Sequence, residues 1–180
     1  MRIIAGQWRG RPIAAPPGSA TRPTSDRARE GLFSMLASRL GGFEGLAAAD
    51  LFAGSGALGL EALSRGAASC LFVERDPAAR AAIEANIARL GAGGRAQVRG
   101  QPVETLPPPP APLDLVLADP PYRHDGIAAL LARLAGPGWL APGALLGIES
   151  AAPALEIPHA FVRLADRRYG KAHIHLLRRD

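Results

Sequence analysis

Between residues 47 and 150 the sequence keeps changing its apolar period, and that alternation limits the folds open to it more than any other feature. AAADLF (47–52) reads as a buried strand, followed by a Gly-rich turn and a helix through Leu63 that stops near Gly66. CLFVE (70–74) is a second strand. Asp76 caps a helix opened by Pro77, whose stripe Ala79, Ile83, Ile87 and Leu90 ends at Gly91. AQVRG (96–100) is a weak third strand, PPPPAP (107–112) a rigid loop and LDLVLAD (113–119) a fourth strand. A helix from about Asp125 to Leu134 shows Ile127, Leu130, Leu131 and Leu134, after which Pro142-Gly143 turns the chain into ALLGIES (144–150). Two last strands, near AFVRLADRRY and KAHIHLLRR, turn at Gly170 and read as a closing antiparallel hairpin. Strands alternating with helices imply an α/β fold: a mostly parallel sheet covered on both faces, with ligands bound beyond the carboxyl ends of the strands.

Ahead of this core, residues 1–24 mix short apolar pieces with GQWRGRP and PPG, which predicts an exposed hairpin or arm. From about Ser25 to Leu40 the residues Ala28, Leu32, Leu36 and Leu40 recur every four positions, an amphipathic helix capped by Thr24, Ser25 or Asp26 and ended by Gly41-Gly42. The expected units are therefore a small N-terminal arm over 1–24 and a main domain over 25–180.

The 180 residues suffice for one substantial core, and 48% hydrophobic with 21% charged residues is ordinary for a folded soluble chain. No apolar signal core or bilayer-length run is present, so a cytoplasmic protein is expected. Cys70, the single cysteine, reads as core packing. The net charge of +5 is uneven: residues 1–40 hold seven arginines against Asp26 and Glu30, and Arg163, Arg167, Arg168, Lys171, Arg178 and Arg179 form a second basic cluster. A polyanion such as nucleic acid fits that distribution. Arg9, Arg11, Arg22, Arg27 and Arg29 are the candidate phosphate contacts. His173 and His175 share a strand face, but no cysteine or carboxylate at ligand spacing accompanies them, so no metal site is expected.

In DLFAGSGALG, Gly54, Gly56 and Gly59 have the G-x-G-x-x-G spacing between a strand and a helix, with Glu74 twenty residues past Gly54 at the end of the next strand. Glycines let a backbone approach a nucleoside, the helix start offers N–H groups, and Glu74 can accept from both ribose hydroxyls. A dinucleotide would use the same glycines. Asp50 weighs against it, because a carboxylate there repels a pyrophosphate and suits the cationic amino-acid end of S-adenosylmethionine.

The fourth strand ends in Asp119-Pro120-Pro121-Tyr122, a pattern similar to the [DNS]-P-P-[YFW] motif of enzymes that methylate exocyclic amines of bases. Such an amine is a poor nucleophile because its lone pair is delocalised into the ring. A carboxylate (Asp119) and a backbone carbonyl (Pro120) accepting its two N–H bonds hold it in place and stabilise the charge that develops. The prolines stiffen the loop, and Tyr122 offers a stacking face for an extracted base.

With both motifs in place, the whole chain resembles the RsmD family, bacterial enzymes that methylate guanine N2 in 16S ribosomal RNA. The resemblance rests on RIIAGQWRGRPI, RPTSDRAREGLF, DLFAGSGALGLEALSRGA, FVERD, DPPY and GWL-x-P-G-A-L-x-x-x-E. It implies a class I, Rossmann-like methyltransferase with a seven-stranded sheet beside a small N-terminal element. It also implies 16S ribosomal RNA, free or in an assembling small subunit, as partner; a monomeric protein is expected. S-adenosylmethionine is the implied cofactor, lined by Asp50, Phe52, Ala53, Gly54, Ser55, Gly56, Gly59, Glu74, Arg75, Gln101, Val103 and Asp119. One departure stands out. Where the family has a polar side chain followed by a backbone N–H for adenine, this chain has Gln101 and Pro102, and proline has no N–H, so Val103 is the expected substitute. A DNA adenine or cytosine amino-methyltransferase and a non-catalytic nucleotide-binding protein remain the alternatives. The small appendage weighs against the first and DPPY against the second.

Overall fold

The computed structural model describes residues 1–16, 26–121 and 125–180, apart from the side chain of Asp125. Helix α1 (Asp26–Leu40) carries Ala28, Leu32, Phe33 and Leu36 on one side, all buried against the sheet. Burial of each large side chain contributes about 1.5–3 kcal/mol. Thr24 and Ser25, the alternative caps, lie outside the described residues. Strand and helix then alternate as β1 (Ala47–Leu51), α2 (Ala57–Ser64), β2 (Ser69–Val73), α3 (Pro77–Leu90) and β3 (Ala96–Arg99). A short 3-10 turn (Val103–Thr105) and the proline run lead into β4 (Leu113–Ala118), α4 (Asp125–Leu134), β5 (Leu140–Ser150), β6 (Phe161–Tyr169) and β7 (Ala172–Arg179). Local chemistry fixes α3 at both ends. Asp76 accepts from the Ala79 N–H at 2.8 Å, Pro77 opens the helix, and Gly91 closes it with φ +69°.

The seven strands form one sheet in the order β3-β2-β1-β4-β5-β7-β6. β1 to β5 pair in parallel and β7 runs antiparallel between β5 and β6. The closing hairpin is thus present, with its second strand inserted into the sheet. Pro142-Gly143 does not precede β5; it sits inside that strand, where the pairing with β4 shifts register between Leu113 and Leu115. A bulge accommodates a residue without a ladder donor.

Helices α1, α2 and α3 cover one face of the sheet, with Phe33, Leu60, Ile83, Phe72, Leu117 and Leu176 in that core. Helix α4 covers the other, with Val116, Leu131, Trp139 and Ile148. Cys70 is buried in the first core as expected. Gly147 allows α1 to lie directly on β5: a Cβ there would meet Leu32 Cδ1 at 2.7 Å.

The first sixteen residues are not an exposed arm. Arg2 and Pro12 do bridge as in a hairpin, but Ile3, Trp8 and Ile13 belong to the same core as α1 and α2. Their backbone is tied down as well. Glu61, fully buried in α2, accepts from the Ile4 and Ala5 N–H groups at 2.8 and 3.0 Å, and Ser64 Oγ accepts from the Trp8 N–H at 3.0 Å. Three apolar side chains are enough to pull a short segment out of water. The expected boundary between 24 and 25 falls outside the described residues. Among the described residues no helix is long and apolar enough to cross a membrane.

Candidate active site

The strand register builds the site. The last paired residues of β2, β1, β4 and β5 are level with one another: Leu51 pairs with Val73 and Ala118, and Ala118 with Ile148. One residue further on stand Glu74, Phe52, Asp119 and Glu149, a row along the carboxyl edge. Glu74 and Asp119 flank β1, so two strand spacings, roughly 10 Å, separate them.

Between them the glycine loop makes its turn. Gly54 and Gly56 have φ of +56° and +79°, a region open to glycine at little cost, whereas Phe52 at φ +61° is strained. Gly59 answers a different need: a Cβ there would meet Phe72 Cε1 at 2.4 Å and Cys70 Sγ at 2.7 Å, so only glycine lets α2 pack on β2. Ala53 donates to Val73 O at 3.1 Å and Gly56 to Ala53 O at 2.7 Å, which closes the loop on itself.

The carboxylates are held by backbone donors. Asp50 is 1% exposed and its Oδ2 accepts from the Gly59 N–H at 2.8 Å, in the first turn of α2. Burial pushes its carboxyl well above the usual range; the Gly59 bond opposes this, and the nearby charges of Asp119 and Glu74 add to it. A buried carboxyl crowded by two others is suited to a cationic partner, which is the chemistry of an α-amino or sulfonium group and not of a pyrophosphate. Glu74 bridges the loop to α3, with Oε2 accepting from Gly54 N–H and Oε1 from Asp76 N–H, both at 2.9 Å. Each oxygen keeps a second lone pair for a ribose hydroxyl.

Ser55 is buried and Arg75 exposed. Gln101 is half-buried, and Val103 opens the 3-10 turn with Pro102 as its cap, so its N–H is one that a helix start leaves without an internal acceptor. Pro120 is buried and Pro121 exposed. Tyr122 and Arg22 lie outside the described residues. The register therefore brings Asp50, the glycine loop, Glu74 and Asp119 together at one edge.

Two of the expected phosphate contacts lie elsewhere, and one is not at the surface. Arg9 and Arg11 are exposed on a turn whose Gln7 N–H bonds Ser64 O at 2.8 Å, at the far end of α2 from the glycine loop. Eight helical residues set these two ends about 12 Å apart. Arg29 is fully buried. It donates to Arg2 O and pairs with Asp26 at 3.0 Å, and burial lowers its guanidinium from its ordinary value against the pull of Glu61 and Asp26. Lying beside Ala28 on the covered side of α1, it supports the N-terminal segment and cannot reach RNA. Arg27, two residues earlier, is exposed.

Other positioning residues went unread in the sequence. Asn86, fully buried on α3, exchanges hydrogen bonds with both backbone groups of Ala14 at 2.9 Å and donates to Ser55 O at 3.0 Å, tying the N-terminal segment to the glycine loop. A polar residue within the stripe from Ile83 to Leu90 was the available signal. At the end of β5, Ser150 Oγ and Ala152 O lie 3.2 and 3.1 Å from His175 Nε2, while His175 Nδ1 meets Asp166 at 2.6 Å. This chain pins the segment after β5 to the hairpin. Among the described residues no group of three or more His, Cys, Asp or Glu is placed to hold a metal ion.

Comparison with known proteins gives the fold and the family. A family model described as "Conserved hypothetical protein 95" matches residues 1–178. Ribosomal RNA small subunit methyltransferase D of Escherichia coli strain K12 is 43% identical over 150 residues, covering 83% of this chain and 74% of that protein. The chain belongs to the RsmD family. A putative rRNA methyltransferase of Bacillus subtilis strain 168, YlbH, is 40% identical over 135 residues, 73% of this chain and 72% of that one. The solved structure of the putative methyltransferase yhhF from Escherichia coli superposes on this RsmD-family chain with a TM-score of 0.88 at 38% identity, covering 100% of this chain and 98% of that one. The fold is that of a class I, Rossmann-like methyltransferase.

Proposed function

We propose that this chain transfers a methyl group from S-adenosylmethionine to the exocyclic N2 amine of a guanine in small-subunit ribosomal RNA. The observation that carries the reading is the row at the carboxyl edge, where Asp119 stands level with Glu74 and acts electrostatically on buried Asp50. Membership of the RsmD family supports ribosomal RNA as substrate, since relatives named for that activity cover most of the chain.

The residues fit the cofactor: Asp50 suits its amino-acid cation, the glycine loop admits a close approach, Glu74 suits the ribose, and Gln101 with the Val103 N–H the adenine. When bound there, it supplies an electrophilic methyl on a positively charged sulfur. Asp119 and the Pro120 carbonyl accept the two N–H bonds of the guanine amine, orient its lone pair and stabilise the positive charge as attack proceeds. Buried Pro120 keeps that carbonyl rigid, and Tyr122 stacks on the extracted base. Arg9, Arg11, Arg22 and Arg27 contribute phosphate contacts.

The test is nucleoside mass spectrometry after incubation of small-subunit RNA or particles with labelled S-adenosylmethionine. Label on N2-methylguanosine is expected. Label only on adenine or cytosine in DNA, or none on any nucleic acid, would overturn the reading.

A further inference from the structure

We infer that the turn between β6 and β7, carrying Arg167, Arg168 and Lys171, is an RNA phosphate grip beside the active site. The inference rests on the function proposed above and specifies where the RNA backbone runs. β7 is antiparallel to β5, with His173 opposite Ser150, so the turn projects from the same carboxyl edge as Asp119. Two to three strand spacings, about 10–15 Å, separate β4 from β7 and β6. That distance spans a few nucleotides flanking the target base.

The charges on this turn are not neutralised within the protein. Arg167, Arg168 and Lys171 are exposed, and among the described residues no carboxylate lies within ion-pair distance of any of them. Asp166, the adjacent acid, is engaged by His175 at 2.6 Å and Arg163 at 2.7 Å. Arg168 is held in place by its Nε, which donates to Gly170 O at 2.9 Å, an arrangement that leaves the fork of its terminal nitrogens for an anion. Three cations within five residues repel one another, and an anionic partner relieves that repulsion.

The turn is also anchored. Tyr169 packs on α1 so closely that a Cβ at Gly31 would meet its hydroxyl at 2.0 Å. Exposed Arg27 stands one helical turn before Gly31 on the same side of α1, so the contact turns that side toward the hairpin. The result is a basic rim next to a row of carboxylates, which allows the phosphates to stay on the rim while only a neutral base enters the acidic centre.

The test compares the full chain with the triple variant R167Q/R168Q/K171Q and a charge-matched control, R39Q/R89Q/R178Q. The control removes three exposed arginines from the opposite, amino edge. Binding to 16S ribosomal RNA is measured across a salt series, with cofactor affinity and thermal unfolding as checks on folding. Loss of three phosphate contacts flattens the log-log salt slope by about 2, on the scale of roughly 0.7 per contact for single strands. The expected result is that slope change together with a raised KM for RNA and an unaltered kcat, the control keeping a near wild-type slope. If the triple variant fails to fold, K171Q alone is expected to change the slope by about 0.7. An unchanged slope in the turn variants, or equal losses in both triples, overturns the inference alone. A wild-type chain that neither binds nor methylates the RNA overturns the proposed function, and the inference with it.

Discussion

The two edges of the sheet use polar residues in opposite ways. At the amino edge, buried Glu61 is matched by two backbone N–H groups and by Arg65 at 2.8 Å, and Ser64 by the backbone of the N-terminal segment. At the carboxyl edge, buried Asp50 feels the charges of Glu74 and Asp119 from either side, Phe52 is held at positive φ, and Asp50 is pushed toward its neutral form. The first arrangement is satisfied by the protein itself. The second leaves electrostatic strain that a cationic ligand relieves. The contrast teaches where substitutions should alter stability and where they should alter chemistry.

The sharpest test at the amino edge is Glu61→Ala. Removal of this buried acceptor leaves Arg65 and two backbone donors without their partner, so unfolding free energy should fall by about 3–5 kcal/mol, read by denaturant titration. The folded fraction should keep its kcat. A stable Glu61→Ala protein would break the comparison. Asp119→Ala should do the reverse, leaving stability and cofactor affinity near wild type while lowering the single-turnover methylation rate by a factor of roughly 100 or more. Asp119→Asn should retain part of the rate, because an amide oxygen still accepts one N–H bond.

Glu74→Ala should weaken S-adenosylmethionine binding by about tenfold in calorimetry, the scale of one or two lost hydrogen bonds, with little change in RNA affinity. Protons should report on Asp50. Its folded-state pKa is raised, so its contribution to stability is present below the ordinary carboxylate range and is lost as pH rises toward the folded value. A cationic ligand draws that pKa back down, so binding should release protons. Calorimetry in buffers of different ionisation enthalpy should detect the release in the wild type and not in Asp50→Asn. The smallest effect expected is that of R9Q/R11Q, whose turn sits at the amino edge: a change in RNA salt slope smaller than the β6–β7 variant produces. A larger change would place the main RNA path along the N-terminal segment.

Much of the carboxyl edge was legible because its residues follow strands immediately in sequence. Asp50, the glycines, Glu74 and Asp119 each close or follow an apolar run, and a parallel sheet aligns such positions without further information. Helix α3 was legible for a similar local reason, with Asp76, Pro77 and Gly91 marking its ends. The amino edge was not legible. Its bonds join residues 56 to 59 positions apart, such as Ala5 to Glu61 and Trp8 to Ser64, and no local period encodes a partner so distant. Arg29 misled for the same reason: the Arg2 carbonyl that receives it belongs to a segment whose docking depends on Ile3, Trp8 and Ile13. The linkage of Asp166, His175 and Ser150 was hidden by strand order, since β7 enters the sheet between two strands that precede it.

That insertion of β7 bears on how the chain is made. During synthesis β6 leaves the ribosome before the strand that joins it to the rest of the sheet, and β5 waits with an open edge until residues 172–179 emerge. A product cut short at Gly170 would therefore lack more than one strand. It would carry a β5 whose outer edge is unpaired and a detached β6, adhesive edges of the kind that nucleate aggregation and attract chaperones.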